Sequence, residues 1–551
     1  MTQTYDTIII GSGAGGLTAA VALAQAGQKV LVCEQHGKPG GWTHSFTLNG
    51  YKFSPGVHYI GGIGQGGSLD RTYRGLGVSK HLQFCELNPD GYDHIVIGDK
   101  QYDFPKGKEN LKAKLIEYFP HEAEGIEGYI EMVDTMVTGL GNLGKVKNPV
   151  GAVKAAGGAM SLMRWATRSG QDLIEHFIND PVLRGILAGQ SGDHGMPPSQ
   201  VSAFVQAGIM HHYFNGGYFP RGGAFAIPRA FLHELKQAGG EIRLKTPVEE
   251  ILLEDGKVIG VRLSDGEIIH AKNIVSNADP EVTFGKLIGR ESLSKKLVNK
   301  LDRVTYSVSA LSLFFAVDMD LRKAGLDSGN FWLYDNEDVD EQYKLGLTDH
   351  SLTADEPPMM FLTVTTLKDP SKMHSGHHTC EAFAFVGYDA FEKWSDSKKG
   401  ERPADYEAEK EELAEKLFKK LERHVPGISK HIVYWSLATP LTNDHYINAT
   451  RGNLYGISKS MRQVGPGAFP IKTEIEGLYL CGASTLSHGV AGATRSGLAA
   501  AKSILGCKTS DLLKQDGPPI EIYPSEDISQ WPEHLQARIA RGMEPDVVLE
   551  D

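Results

Sequence analysis

Gly11, Gly13 and Gly16 stand in a Gly-x-Gly-x-x-Gly spacing directly after the β-branched run Thr7 to Ile10, with Ser12, Ala14 and Gly15 between them. The three glycines meet three physical needs, namely a tight turn, room for a pyrophosphate against the backbone, and close packing of helix on strand. A helix starting there offers unpaired N–H groups and about half a positive charge to phosphate oxygens. Glu34 follows roughly 20 residues on, where a carboxylate accepts hydrogen bonds from a ribose diol and repels an added 2′-phosphate. On these residues alone the turn is a dinucleotide site that suits NAD or FAD.

Other side chains beside glycine motifs could move protons. His44, His58, Tyr59 and His488 are the polar ones, and histidine titrates near neutrality. His58 and Tyr59 are the catalytic candidates. The pair His211-His212 is not expected to bind a metal, because neighbouring helical residues point apart and no carboxylate or cysteine is spaced to complete a ligand set. Met210 to Phe214, and Ser307 to Val317 with Phe314-Phe315 inside it, are candidate walls for an apolar pocket.

The elements that must hold these groups are a buried strand over Thr7 to Ile10, a helix over Leu17 to Ala26 stopped by Gly27, and a second strand over Lys29 to Glu34. Near the other end, Gly477 to Leu480 predicts a strand, Gly482 a turn, and a helix follows from about Ala491. A chain of 551 residues calls for two or three domains. Net charge of −12 and a pI near 6.0 exclude a general nucleic-acid binder. No run of roughly 18 uncharged apolar residues occurs, so no membrane-spanning helix is expected. The residues ahead of Thr7 show no charged, apolar, small-residue leader pattern, so no secretory signal is expected. The five cysteines form no Cys-x-x-Cys pair, which fits reduced thiols in the cytoplasm.

Further strings extend the pattern: Gly40-Gly41-Trp42-Thr43-His44, Phe53 to Gly62, Gly216 to Gly223, Thr246 to Ile251, Ser276 to Pro280, and His488 through Gly489, Val490 and Ala493 to Ala500. Together they resemble the phytoene desaturase, carotenoid isomerase and retinol saturase family of flavoproteins, and Gly-Val-His-Tyr-Ile-Gly is most similar to the retinol saturase branch. The resemblance implies an α/β protein. Its Rossmann-like FAD-binding domain, of the glutathione reductase and amine oxidase type, would be assembled from residues 1–75, 216–283 and 474–507. An inserted α+β substrate region would take 76–215 and 284–473, leaving 508–551 as a surface extension. FAD would be held by Gly11 to Gly16, Glu34, Gly40, Gly41, Trp42, the Val248 backbone, Gly482, Ala483, Gly489 and Val490. Ala483 stands where many relatives carry an acid.

The implied activity is FAD-dependent oxidoreduction at carbon–carbon bonds of a long apolar lipid, such as a carotenoid, retinoid or unsaturated acyl chain, by desaturation, saturation or isomerisation. Amine oxidases, protoporphyrinogen oxidases and the non-catalytic Rab escort and GDP-dissociation-inhibitor proteins share the cofactor domain and are the alternatives. A single dinucleotide fingerprint implies a separate electron donor or acceptor. Residues 135–171 contain no acid, and Lys145, Lys147, Lys154, Arg164 and Arg168 lie among apolar residues. That mixture suits peripheral docking at the inner face of a membrane, with each basic residue contributing about 1 kcal/mol.

Overall fold

The computed structural model describes residues 4–143 and 162–541. One sheet joins the ends of the chain. Its strands run in the order Val248–Glu254, Lys257–Leu263, Ile268–Ser276, Thr4–Ile10, Val30–Cys33 and Glu241–Arg243. Ile268–Ser276 changes neighbour along its length: His270 faces Gly260 antiparallel, while Ile274 to Ser276 run parallel to Leu478–Leu480. Thr4–Ile10 lies parallel to Ile268–Ser276 on one side and to Val30–Cys33 on the other. Ile8 and Ile9 are fully buried, as a parallel strand covered on both faces requires. Ile10, Cys33, Ser276 and Leu480 therefore end at one edge of the sheet, where open α/β sheets bind their ligands.

Helices Ala14–Gln25 and Gly489–Leu505 cross closely above this edge. A Cβ on Gly497 would stand 2.2 Å from the Gly15 carbonyl oxygen, so the crossing tolerates no side chain there.

The second sheet has the order Ile432–Ala438, Ser309–Val317, His378–Val386, Met359–Val364, Asn330–Tyr334, Asp93–Ile97 and Lys100–Phe104. Its strands pair antiparallel except Asp93–Ile97, which is parallel to Asn330–Tyr334. Side chains alternate between faces. Ala310, Trp332, Phe361 and Phe383 pack with residues of helices Lys108–Tyr118, Ala123–Leu143 and Ala203–Tyr213. Leu313, Phe315, Leu362 and Ala382 pack against helix Ala404–His424. Phe314 and Phe315 thus face opposite ways, and Phe315 is core packing rather than pocket wall.

The segment after residue 508 is more than a surface extension. Glu521–Pro524 is a parallel partner of Gln83–Glu86, which pairs on its other side with Tyr218–Pro220. Trp531 and Leu535 are buried against Cys85 and Tyr523. Ile520 and Ile522 alternate with Glu521, but the run is short and bounded by Pro518, Pro519 and Pro524, too little to mark a strand by itself.

No helix among the described residues is long and apolar enough to cross a membrane. Residues 144–161, with Lys145, Lys147 and Lys154 of the expected membrane-facing segment, lie outside the described residues.

Candidate active site

The glycine turn is tied to Glu34 through Ser12. Ser12 donates its backbone N–H and its hydroxyl to Glu34 Oε2 at 2.9 and 2.5 Å, and the His36 N–H reaches Oε1 at 2.8 Å. The same Ser12 oxygen accepts the Gly40 N–H at 3.0 Å, which draws the Gly40-Gly41 segment onto the turn. An ionised carboxylate takes about four hydrogen bonds, so Glu34 keeps an acceptor site for a ribose hydroxyl. Gly11 and Gly41 have φ of +89° and +53°, in the left-handed region that glycine enters freely.

Two glycines are there for space. A Cβ on Gly16 would sit 2.1 Å from the Gly11 carbonyl oxygen, and one on Gly13 would sit 2.6 Å from Asn277 Nδ2. Asn277 enters the sequence pattern only within the string Ser276 to Pro280 and without a role of its own, yet its Oδ1 accepts the Gly16 N–H at 3.0 Å and caps the helix start from the neighbouring strand's end.

The C-terminal half of the site differs from expectation in two details. Gly482 gives its N–H to Ser496 Oγ at 2.8 Å, so that amide is not free for a ligand. The following helix starts at Gly489, two residues before Ala491, and its first-turn N–H groups have no intrahelical acceptor.

A single cavity gathers these pieces. Gly11, Ser12, Gly13, Ala14, Glu34, Gly40, Gly41, Trp42, His44, His58, Val248, Gly482, Ala483, Gly489 and Val490 all line it, with Asn277, Phe383, Tyr455 and Gly456. Gly15 and Gly16 lie behind the lining, where they let the helix pack. The cradle suits a dinucleotide: glycines where a Cβ would collide, a helix N-terminus, a carboxylate with acceptor capacity, and an aromatic far end.

At that far end His58 rests on Glu381. Its Nδ1 donates to Glu381 Oε2 at 2.9 Å, while Glu381 Oε1 accepts the Ser54 N–H at 2.7 Å. The ring lies against Phe361 and Phe383, with centroids at 5.2 and 5.7 Å. Behind it, Lys368 Nζ donates to the His58 carbonyl at 2.6 Å and to Asn330 Oδ1 at 2.5 Å. Burial takes this ammonium down to about 7.

Tyr59 does not line the cavity. Its ring stacks on Tyr213 at 4.3 Å, and its hydroxyl lies 2.9 Å from Asp93 Oδ2 and 2.7 Å from Asp193 Oδ2. Burial raises Asp93 to about 6 and, with the charge of Asp93 added, pushes Asp193 well above the usual carboxylate range. Tyr59 therefore anchors the loop that carries His58, and the alternation along that loop explains why adjacent residues part ways. His488 is also off the lining: it donates Nε2–H to the Asp193 carbonyl at 2.9 Å, and burial lowers its basicity strongly. His44 donates Nδ1–H to the Gly41 carbonyl at 2.6 Å, and burial takes it to about 4. Of the expected wall residues 210–214, none lines this cavity; His212 Nε2 accepts the Gly61 N–H at 3.0 Å instead.

Lys459 is another buried cation without sequence signal. Its Nζ donates to the Ala483 carbonyl at 2.5 Å, and burial lowers it to about 7.

A second cavity of about 530 Å³ adjoins the first and shares His36, Lys38, Trp42, His44, Pro55, Ser312, Tyr446 and Ile447 with it. Phe46, Leu48, Phe314, Leu437 and Leu441 supply its apolar wall. Its size lies within the range of small-molecule sites.

Comparison with known proteins agrees with this geometry. A family profile described as flavin containing amine oxidoreductase matches residues 14–505. An all-trans-retinol 13,14-reductase of Danio rerio is 30% identical, over 91% of this chain and 86% of its own length. A chloroplastic prolycopene isomerase of Arabidopsis thaliana is 27% identical, over 91% of this chain and 82% of its own. Among solved structures, putrescine oxidase bound to putrescine superposes with a TM-score of 0.60 over 92% of this chain and all of its own, at 15% identity.

Proposed function

Because the chain belongs to the flavin containing amine oxidoreductase family, with all-trans-retinol 13,14-reductases as whole-length relatives, we propose that it is an FAD-dependent enzyme acting on carbon–carbon double bonds of a retinoid- or carotenoid-like lipid. The observation that carries this is the pair of adjoining cavities: a dinucleotide cradle that ends at His58 and Phe383, and an apolar chamber that opens beside it.

Gly11 to Ala14 and the first turn of helix Gly489–Leu505 would take the polar middle of FAD. Glu34 would take a ribose hydroxyl, and the Val248 backbone would face the adenine. FAD, when bound, supplies the hydride acceptor or donor. The protein supplies orientation, dryness and a proton. Phe383, Trp42 and Phe314 exclude water from the reacting carbons. His58 has its Nδ1 committed to Glu381, so its Nε2 is the nitrogen that takes or gives the proton accompanying hydride transfer. The Glu381 carboxylate fixes the orientation of the ring through Nδ1. Electrons reach the site from a separate donor or leave to a separate acceptor.

Incubation of the purified FAD-loaded protein, in parallel oxidised and photoreduced, with all-trans-retinol and with a poly-cis carotene, followed by product mass and retention, tests the assignment. A two-dalton gain identifies saturation, a two-dalton loss desaturation, and unchanged mass with altered retention isomerisation. A yellow enzyme that leaves both lipids untouched but oxidises amines with release of peroxide would move it to the amine oxidases.

A further inference from the structure

The second cavity is apolar inside and basic at its rim, although the chain as a whole carries a net charge of −12. Lys38, Lys399, Arg402 and Lys410 border it, with His36 and His445. Acids accompany these cations along the chain, at Asp396, Glu401, Asp405 and Glu407, but Asp405 Oδ2 is engaged by the Trp394 indole N–H at 2.9 Å. Glu407 pairs with Lys410 at 3.1 Å. Asp444, half-buried, is close enough to feel Arg402, Lys286 and His445, but it makes no ion pair with Arg402. Among the described residues no carboxylate lies within ion-pair distance of Lys38, Lys399 or Arg402.

Arg402 and Lys399 are held by neutral groups. Arg402 donates to the carbonyls of Trp394 and Leu441, both at 3.4 Å, and to Ser397 Oγ at 3.2 Å, and its guanidinium lies 4.8 Å over the Tyr406 ring. Lys399 Nζ lies 4.2 Å over the Tyr446 ring. Ring faces and carbonyls orient a cation without neutralising it. The surplus is felt next door: burial lowers His445, and the charges of Lys399, Arg402 and His36 lower it further. A guanidinium and an ammonium that make no ion pair among the described residues, set beside an apolar chamber, form a receptor for an anionic group whose attached chain enters the chamber.

We propose that the substrate is an amphiphile whose apolar chain fills the second cavity toward Trp42 and Ser312, and whose anionic head group, a carboxylate or a phosphate monoester, is bound at the rim by Arg402 and Lys399. This rests on the assignment of the protein as a flavoenzyme for apolar chains, and it adds the end of the molecule that the chemistry does not touch. Retinol and a hydrocarbon carotene would then be accepted as chains but bound less tightly than an acidic counterpart.

The test uses the FAD-loaded enzyme and three probes with one chain: retinol, retinoic acid and retinyl phosphate. Binding is followed by perturbation of the flavin absorption spectrum at low and at high salt. The expected result is at least tenfold tighter binding of one or both acids than of the alcohol, weakened by salt. In the variant carrying Arg402→Gln and Lys399→Gln the acids and the alcohol should bind within a factor of about two of each other, with alcohol binding unchanged. The tighter of the two acids identifies the head group. Equal binding of acid and alcohol by the wild-type enzyme, or a preference that persists in the double variant, overturns the head-group assignment and leaves the apolar-chain assignment standing. If none of the three perturbs the flavin, both fall together. Arg402 and Lys399 lie at the surface edge of the cavity, and the single variants Arg402→Gln and Lys399→Gln, each expected to lose part of the preference, guard against misfolding of the pair.

Discussion

His58 and Glu381 are the residues on which the proposed chemistry turns. Replacing His58 by Gln should leave FAD bound, because the side chain lies at the far end of the cradle, and should slow turnover by about 10²- to 10⁴-fold; unchanged turnover in steady-state assays would remove His58 from the reaction. Glu34→Ala removes the acceptor of two backbone N–H groups and the Ser12 hydroxyl. It should cost about 1–3 kcal/mol of stability, and the purified variant should carry less flavin, read from its absorbance ratio. Gly11, Gly13, Gly16 and Glu34 are legible in the sequence because their spacing is local and each satisfies a separate steric or electrostatic need. Asn277, Glu381 and Lys368 are not. Their partners Gly16, His58 and the His58 carbonyl stand 261, 323 and 310 residues away, so no local pattern gives their roles, even for Asn277 inside the string Ser276 to Pro280. Adjacency to His58 singles out Tyr59, but neighbours along the chain send their side chains into different compartments.

Two elements carry consequences that a motif cannot show. Strand Glu521–Pro524 closes a three-stranded sheet, and Ser525 Oγ then donates to the Lys368 carbonyl at 2.8 Å. The tail therefore braces the segment whose ammonium holds the His58 carbonyl. A chain ending at Pro519 loses that strand and the burial of Trp531 and Leu535; thermal denaturation should shift downward by several degrees at least, and turnover should fall further than flavin content does. Equal melting temperatures for the full and shortened chains would show that the tail is dispensable. The strand–turn–helix–strand unit at the N-terminus is readable from β-branched runs and glycine stops. The second sheet is not, because its strands come from segments as far apart as Asp93–Ile97 and Ile432–Ala438, and only the alternation of buried residues across Ala310, Phe361 and Phe383 reveals its inner face.

At the scale of the molecule, the parallel strands Thr4–Ile10 and Leu478–Leu480 flank Ile268–Ser276 and make one binding edge from both ends of the chain, while the middle supplies the apolar chamber. This architecture buries histidines in neutral form. Burial lowers His44, His194 and His212 to about 4, and His488 well below its ordinary value. Unfolded, these rings bind protons near pH 6.5, so between pH 6.5 and 4 the unfolded chain holds more protons than the folded one. Their contribution is fully present above pH 6.5 and is lost as pH falls through 4. Asp93, raised to about 6, Asp193, raised well above the carboxylate range, and His94, raised to about 9, act in the opposite sense, but they are outnumbered by the buried neutral rings, which His424, lowered to about 4, joins. Melting temperature should therefore fall from pH 7 to pH 5, and a flat or rising profile over that range would contradict the neutral burial of these side chains. The most direct test of the central claim, that one cavity holds FAD against an apolar chain, is anaerobic mixing of the FAD-loaded enzyme, oxidised and photoreduced, with a panel of retinoids and carotenoids while the flavin absorption is recorded. The prediction is bleaching or return of the flavin band with one of these lipids, or catalytic isomerisation of a carotenoid by the reduced enzyme, lost in His58→Gln. A colourless protein that takes up no FAD, or a flavin band that no lipid alters together with lipids recovered unchanged, would contradict it.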